Sequence, residues 1–329
     1  MTAYLIRRLL QAIPTLIGVT LLSFIIMRAA PGDPIQLMIF NPEIRESDRI
    51  ALRHRLCLDR SLAEQYVIWV VGDFRGVCDQ RGLIRGDFGT SFQNRRPALD
   101  LILERIPATL ELTATALAVG LVVGLAIGVL AAVNQGGLFD NLTRFFAVIL
   151  NALPSFWLGI MLLLFFGVQL GWLPIGGRTT LNVEYSGTFI DRARHLFMPV
   201  LVLAVGWIAV LSRFMRTQTL EVVRQEYVRT AHAKGLAPRR VYFMHAARNA
   251  LIPIATILGP AIGGLIGGSV ITERIFSWPG LGRLTLDAVF QRDYPLIMAG
   301  VLIGAVLVIL GNLLSDVLYG IIDPRIRLE

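Results

Sequence analysis

Lysine occurs once in this chain of 329 residues, as Lys234 within Ala233-Lys234-Gly235. A loop that cradles phosphates needs Gly-x-x-x-x-Gly-Lys followed by Ser or Thr, so the chain carries no ATP site of that kind. Its four histidines, His54, His195, His232 and His245, are scattered, and neither His-Glu-x-x-His nor Gly-x-Ser-x-Gly occurs. Metalloprotease and nucleophile-elbow chemistry are therefore not spelled out. Cys57 and Cys78 are the only cysteines; without His or Asp partners at ligand spacing they give no metal signal. They share one segment and form a disulfide if that segment lies in an oxidising compartment, although spacing alone does not bring their Cβ atoms together. No catalytic residue and no cofactor of its own are expected.

A strongly basic cluster lies at residues 213–248. Arg213, Arg216, Arg224, Arg229, Lys234, Arg239, Arg240 and Arg248 face Glu221 and Glu226 there, eight cations against two carboxylates and a net of +6. Leu220, Val223, Tyr227 and Ala231 follow at helical spacing, which predicts one helix over 217–234 with a single apolar stripe. Gly235 is placed to end it, Pro238 blocks simple continuation, and a second helix starts near Arg239. Two readings remain open: a docking element for another protein, or a basic helix lying on anionic lipid.

The elements that must carry this loop are apolar. Hydrophobic residues make up 55% and charged residues only 16%, and mean hydropathy is +0.64. Six stretches, 9–30, 107–133, 143–167, 196–216, 249–272 and 296–320, are long enough to cross about 30 Å of hydrocarbon. The first follows Arg7 and Arg8 but is longer than a signal-peptide core and runs into Pro31, so it reads as a retained anchor. The fold class expected is all-α, a polytopic membrane protein of six helices. Residues 1–30 form the first span, 31–106 an external segment and 107–329 a five-helix core. Cations in short loops resist translocation, which puts 213–248 and both termini in the cytoplasm. The net charge of +8 is thereby a topology signal, and nucleic acid is not expected as a partner. In the external segment, Ser47 and Ser61 are candidate caps for helices running to Leu56 and Val71.

Small residues recur every four positions at Gly120, Gly124 and Gly128, which lets helix backbones approach closely. A second stripe, Gly259, Gly263 and Gly267 with Gly264, sits among Pro253 and Pro260 in the fifth stretch; with Asn151 and Ser155 it is the candidate translocation path. Charges in or near the spans, Glu111, Arg213, Arg216 and Asp316, fall near predicted interfaces. A proton relay would want titratable groups near mid-membrane, and this disfavours a proton-coupled carrier.

The run Glu226-Tyr-Val-Arg-Thr-Ala-His-Ala-Lys-Gly-Leu236, continuing through Arg248-Asn-Ala-Leu-Ile-Pro253, resembles the cytoplasmic motif of permeases of binding-protein-dependent ABC importers. Pro31-Gly-Asp-Pro34, Gly86-Asp-Phe-Gly-Thr-Ser91, Arg105-Ile-Pro-Ala-Thr-Leu-Glu-Leu112, Pro154-Ser-Phe-Trp-Leu-Gly159, Glu273-Arg-Ile-Phe-Ser-Trp-Pro-Gly-Leu-Gly-Arg283 and Asp323-Pro-Arg-Ile-Arg327 extend the resemblance to the peptide and nickel subgroup, first permease subunit. The resemblance implies a multi-pass protein of the prokaryotic inner membrane. Its partners would be a second permease, two cytoplasmic ATPases that bind ATP and Mg, and an external substrate-binding protein. Glu226, Tyr227, Arg229, Thr230, Ala231, Ala233, Lys234 and Gly235 would couple to an ATPase. The solute would be a peptide, a nickel chelate or another small molecule; a carrier or channel without ATPases is the rival. Two departures stand out. Arg229-Thr230-Ala231 occupies the place where the wider superfamily often has Glu-Ala-Ala, and residues 77–84, with Cys78, look like an insertion.

Overall fold

The structure, a computed structural model, describes residues 2–29, 46–73, 76–78, 80–181, 186–237, 241–251, 253, 254, 258, 261, 264, 265 and 270–322. Among them the chain is helical, with one isolated bridge between Thr90 and Pro97. Helices α1 (Thr2–Ala29), α2 (Glu46–Arg55) and α3 (Leu62–Val71) are followed by α4 (Ala98–Val133), α5 (Leu138–Ala152), α6 (Ser155–Leu162), α7 (Phe189–Val223) and α8 (Glu226–Ala233). Helices α9 (Val270–Ile275), α10 (Leu281–Phe290) and α11 (Tyr294–Ile322) come last, and short helical segments at Leu83–Arg85, Leu163–Gln169, Val241–Ala246 and Ala247–Ala250 lie between the named helices.

Segments within α1, α4, α7 and α11 are each long and apolar enough to cross a membrane. Leu138–Ala152 and Ser155–Gln169 qualify only together, and they are bent by 97°. The continuous third span expected over 143–167 is thus broken, for a local reason. Pro154 has no N–H and holds Leu153 in an extended conformation (φ −73°, ψ 128°), so the helix ends there and restarts at Ser155. Residues 249–272 are described only in part, and Gly259, Gly263 and Gly267 lie outside the described residues, as do 31–34 and 323–327.

Helix ends also differ from the apolar stretches that announced them. Helix α7 begins seven residues before its apolar stretch because Thr188 caps it, its side chain accepting from the Asp191 N–H. In α3, Ser61 and Glu64 form a reciprocal capping box, which satisfies backbone donors at the helix start. Ser47, by contrast, lies inside α2 and does not precede it.

The chain divides into two compact units, one of residues 1–107 and 281–309, the other of 108–280 and 310–329. The core of the first gathers Phe24 and Met27 of α1 with Tyr294 and Met298 of α11, flanked by Tyr66, Trp69 and Phe92. Asp293, fully buried, accepts from Ser91 Oγ at 2.5 Å and from Phe92 N at 3.1 Å, which fixes the 91–93 turn to the start of α11.

In the second unit α4 packs along α7. A Cβ on Gly128 would stand 2.6 Å from the Ser212 carbonyl oxygen and 2.7 Å from Met215 Cβ, closer than packed atoms come. The first glycine stripe is therefore a helix-packing surface. Val129, Leu211, Met215, Ala250 and Ile254 form the core beside it. Ala108, Leu112 and Ala116 meet Val200 and Trp278 farther along. The Trp278 indole donates to the Ala108 carbonyl at 2.8 Å.

Candidate coupling and transport site

Helix α7 runs out of its apolar stretch without interruption as far as Val223, and only Arg224 and Gln225 separate it from α8. The single helix expected over 217–234 is thus two. The Gln225 carbonyl accepts from Val228 N at 3.1 Å and Arg229 N at 3.3 Å, so the chain turns at Gln225 and begins a new helix. Residues 238–240, where a further helix was expected to begin, lie outside the described residues.

The far end of α8 closes through Gly235, at φ +73°. Leu236 N donates to the Ala231 carbonyl at 3.4 Å, and Lys234 N to that of Thr230 at 3.0 Å. This is a left-handed glycine stop in which the apolar residue after the glycine folds back on the last turn. Leu236 accordingly packs with Val222 against the buried trio Val228, Ala231 and Val241.

That packing sorts the candidate coupling residues onto two faces. Glu226, Tyr227, Arg229, Thr230, Ala233, Lys234 and Gly235 are exposed. Ala231 is not: it is 8% exposed and packs with Val228 and Val241, so the apolar stripe serves the loop's own core. Tyr227, Thr230 and Lys234 follow at steps of three and four on the outward face. Tyr227 is held there because its hydroxyl accepts from Asn249 Nδ2 at 2.8 Å. The Arg229–Glu226 pair, at 3.0 Å and well exposed, contributes little to stability. A helix lying on lipid would turn its apolar stripe outward, whereas here Val228 and Ala231 face inward.

Polar residues at the break between α5 and α6 are open. Asn151 and Ser155 are both exposed, one at the end of the first half and the other opening the second. Gly264 is exposed too, and a Cβ built on it meets nothing within 4 Å. These are the three proposed path residues that the structure describes. Discontinuous membrane helices are where transporters commonly place solute contacts.

Several acids of the second unit are partnered. Asp140 is completely buried and takes Arg216 through both oxygens, at 2.5 Å from Nε and 2.7 Å from Nη2, with the Gly136 N–H at 2.9 Å. Glu111 takes Arg178 at 2.8 Å from Nε. Glu273, fully buried, accepts from Thr109 Oγ1 at 2.9 Å and presses against Gly280. Of these acids, sequence reasoning singled out only Glu111 by role. Asp140, Asp191, Glu273 and Asp293 were missed as buried anchors. The available signal was an acid next to Gly or Ser/Thr turn residues, as in Gly136-Gly137-Leu-Phe-Asp140. Among the described residues no three His, Cys, Asp or Glu side chains gather as metal ligands.

Cys57 and Cys78 sit with their sulfur atoms in direct contact and Cα atoms 5.8 Å apart, a separation usual for a bridged pair.

Residues 124–328 match the family described as binding-protein-dependent transport system inner membrane component, and residues 1–113 match the N-terminal region of such membrane components. The chain belongs to this family. It is 45% identical over 328 residues to the oligopeptide transport system permease protein AppB of Bacillus subtilis (strain 168), covering 99% of this chain and 100% of that protein. It is 41% identical over 343 residues to the di/tripeptide transport system permease protein DppB of Pseudomonas aeruginosa (strain UCBPP-PA14), with 99% of each covered. The dipeptide transport system permease protein DppB of Escherichia coli (strain K12) is 38% identical over 348 residues, again with 99% of each covered. Among solved structures, the MetNI methionine ABC transporter in an inward facing conformation superimposes with a TM-score of 0.54 at 20% identity, over 68% of this chain and 97% of that one. This family member is thus a multi-pass inner membrane permease subunit of an ABC importer, and its relatives are permeases, not ATPases.

Proposed function

We propose that this permease carries short peptides delivered by an external binding protein, together with a second permease and two cytoplasmic ATPases that supply ATP and Mg chemistry. The peptide assignment rests on relatives named for oligopeptide, di/tripeptide and dipeptide transport along the whole chain. The observation that carries the mechanism is α8. It is a short helix on an internal core of its own, with Tyr227, Thr230 and Lys234 outward, joined to α7 by two residues. A load on such a helix passes directly into a membrane-crossing one. Closure of an ATPase pair on ATP would draw the docked helices of two permeases together and turn the cavity outward; hydrolysis would return it.

In this reading there are six spans, with the sixth supplied by 249–272. Residues 31–106 are outside, and 213–248 and both termini are inside. The residues assigned to the path in this reading are Gly259, Gly263, Gly264, Gly267, Asn151 and Ser155, and contacts there are weak because tight holding at mid-path slows release. A tagged chain extracted in mild detergent should bring down nucleotide-binding chains and a second permease. A carrier working alone would come down by itself, and that result would end this proposal.

The Cys57–Cys78 bridge belongs to the same reading, since it closes a 21-residue separation on the oxidising side and would stabilise the external segment by roughly 3 kcal/mol. Intact-mass measurement after alkylation without reductant should show no added label. Two labelled thiols would place the pair in a reducing environment or unbridged.

A further inference from the structure

Three buried polar atoms in the first compact unit have no hydrogen-bond partner among the described residues: Arg28 Nε, Gln65 Oε1 and Trp69 Nε1. All three residues line one cavity of about 60 Å³, walled by Phe24, Tyr294 and Met298. Gln65 is only 8% exposed. Its Nε2 donates to the carbonyls of Arg60 at 2.7 Å and Leu58 at 3.4 Å. Both are acceptors, so the amide orientation is fixed and Oε1 is the atom left over. The Arg28 guanidinium lies over the rings of Phe24 and Tyr294, at 5.4 and 5.0 Å from their centroids, and among the described residues it has no carboxylate partner.

The unpartnered groups of the cavity are therefore two donors, one of them charged, and one acceptor; Gln80 and Asp87 also line it, and each Asp87 oxygen already accepts a backbone N–H, Oδ1 from Gly89 at 2.9 Å and Oδ2 from Arg81 at 3.0 Å. Leaving such groups unmatched costs about 1–3 kcal/mol each. Room of this size takes about four waters or a group of some five heavy atoms. We propose that it binds a carboxylate bearing an N–H or O–H on the adjacent carbon. The carboxylate oxygens accept from Arg28 and Trp69, and the neighbouring N–H or O–H donates to Gln65. The C-terminal end of a peptide and a small free hydroxy acid share this chemistry. None of the residues named for the candidate path lines this cavity, and its ligand class is read from the donors and acceptor of the cavity, independently of the transport proposal.

The full chain in lipid nanodiscs, without binding protein or ATPase, is titrated with N-acetylglycine, N-acetylglycinamide, N-acetylsarcosine and glycolate by saturation-transfer NMR. N-acetylglycine should bind saturably. The amide, which lacks the carboxylate, and the sarcosine, which lacks the N–H, should each bind about tenfold more weakly, as should N-acetylglycine to Trp69→Phe and Gln65→Leu. Tighter binding of N-acetylglycine than glycolate assigns the site to peptide ends, and the reverse order assigns it to hydroxy acids. Equal binding of acid and amide, or no saturable binding because waters alone fill the cavity, would overturn the proposal. The ligand comparisons on unaltered protein decide this even if a variant folds poorly. Uptake is not read, so peptide transport stands or falls separately.

Discussion

Replacing Asp140 by leucine should destabilise the protein by about 3 kcal/mol, because a buried ion pair that loses one partner strands the other charge. Arg216 would lose both its contacts at 2.5 and 2.7 Å, and Gly136 its acceptor. The low end of the usual range is expected since the Arg216 side chain keeps 19% of its surface exposed and part of its charge can find water. The pair holds the start of α5 against α7 near the end from which α8 projects. In detergent at fixed scan rate, the Asp140→Leu variant should melt several degrees below the parent. Adding Arg216→Leu should recover part of the loss, since both charges are then gone. An unchanged melting temperature in the single variant would show that the pair is not structural.

The second large effect is expected at Gly235, where the cause is the backbone. A Cβ there meets nothing within 4 Å, so bulk is not the obstacle. The backbone is, because φ of +73° costs a β-branched residue roughly 1 kcal/mol or more, and the helix stop that folds Leu236 onto Ala231 would be reshaped. Asparagine tolerates this conformation far better than valine. Gly235→Asn should therefore keep most transport, and Gly235→Val should lose it while inserting and assembling normally. Ala231→Asp should also abolish transport, for a different reason: it places a carboxylate among Val228, Val241 and Leu236 and dismantles the loop from within.

These two sites also show what the sequence made legible. Four of the six apolar stretches, 9–30, 107–133, 196–216 and 296–320, correspond to long apolar helices, because a run of twenty apolar residues has few other uses, and the Ser61–Glu64 cap was readable because its whole mechanism fits in four residues. The glycine stripe on α4 was legible for the same reason. What was hidden lay in partners far apart along the chain: Asp140 meets Arg216 across 76 residues, Glu273 meets Thr109 across 164, and Asp293 meets Ser91 across 202. No local pattern announces such pairs. The use of the α8 faces was not legible, because periodicity shows that a stripe exists but not whether Val241, farther along the same loop, already covers it.

The most direct test of the coupling account is ATP-driven peptide uptake into proteoliposomes carrying this permease with its partner permease, ATPases and binding protein, with ATP hydrolysed and peptide taken up measured together. Wild type and Gly235→Asn should transport. Gly235→Val and a Tyr227→Asp, Thr230→Asp, Lys234→Glu variant of the outward face should assemble but either fail to hydrolyse ATP in response to loaded binding protein or hydrolyse it without uptake. Wild-type uptake by the triple variant at equal expression would contradict the assignment of α8 as the element that couples this subunit to its ATPase.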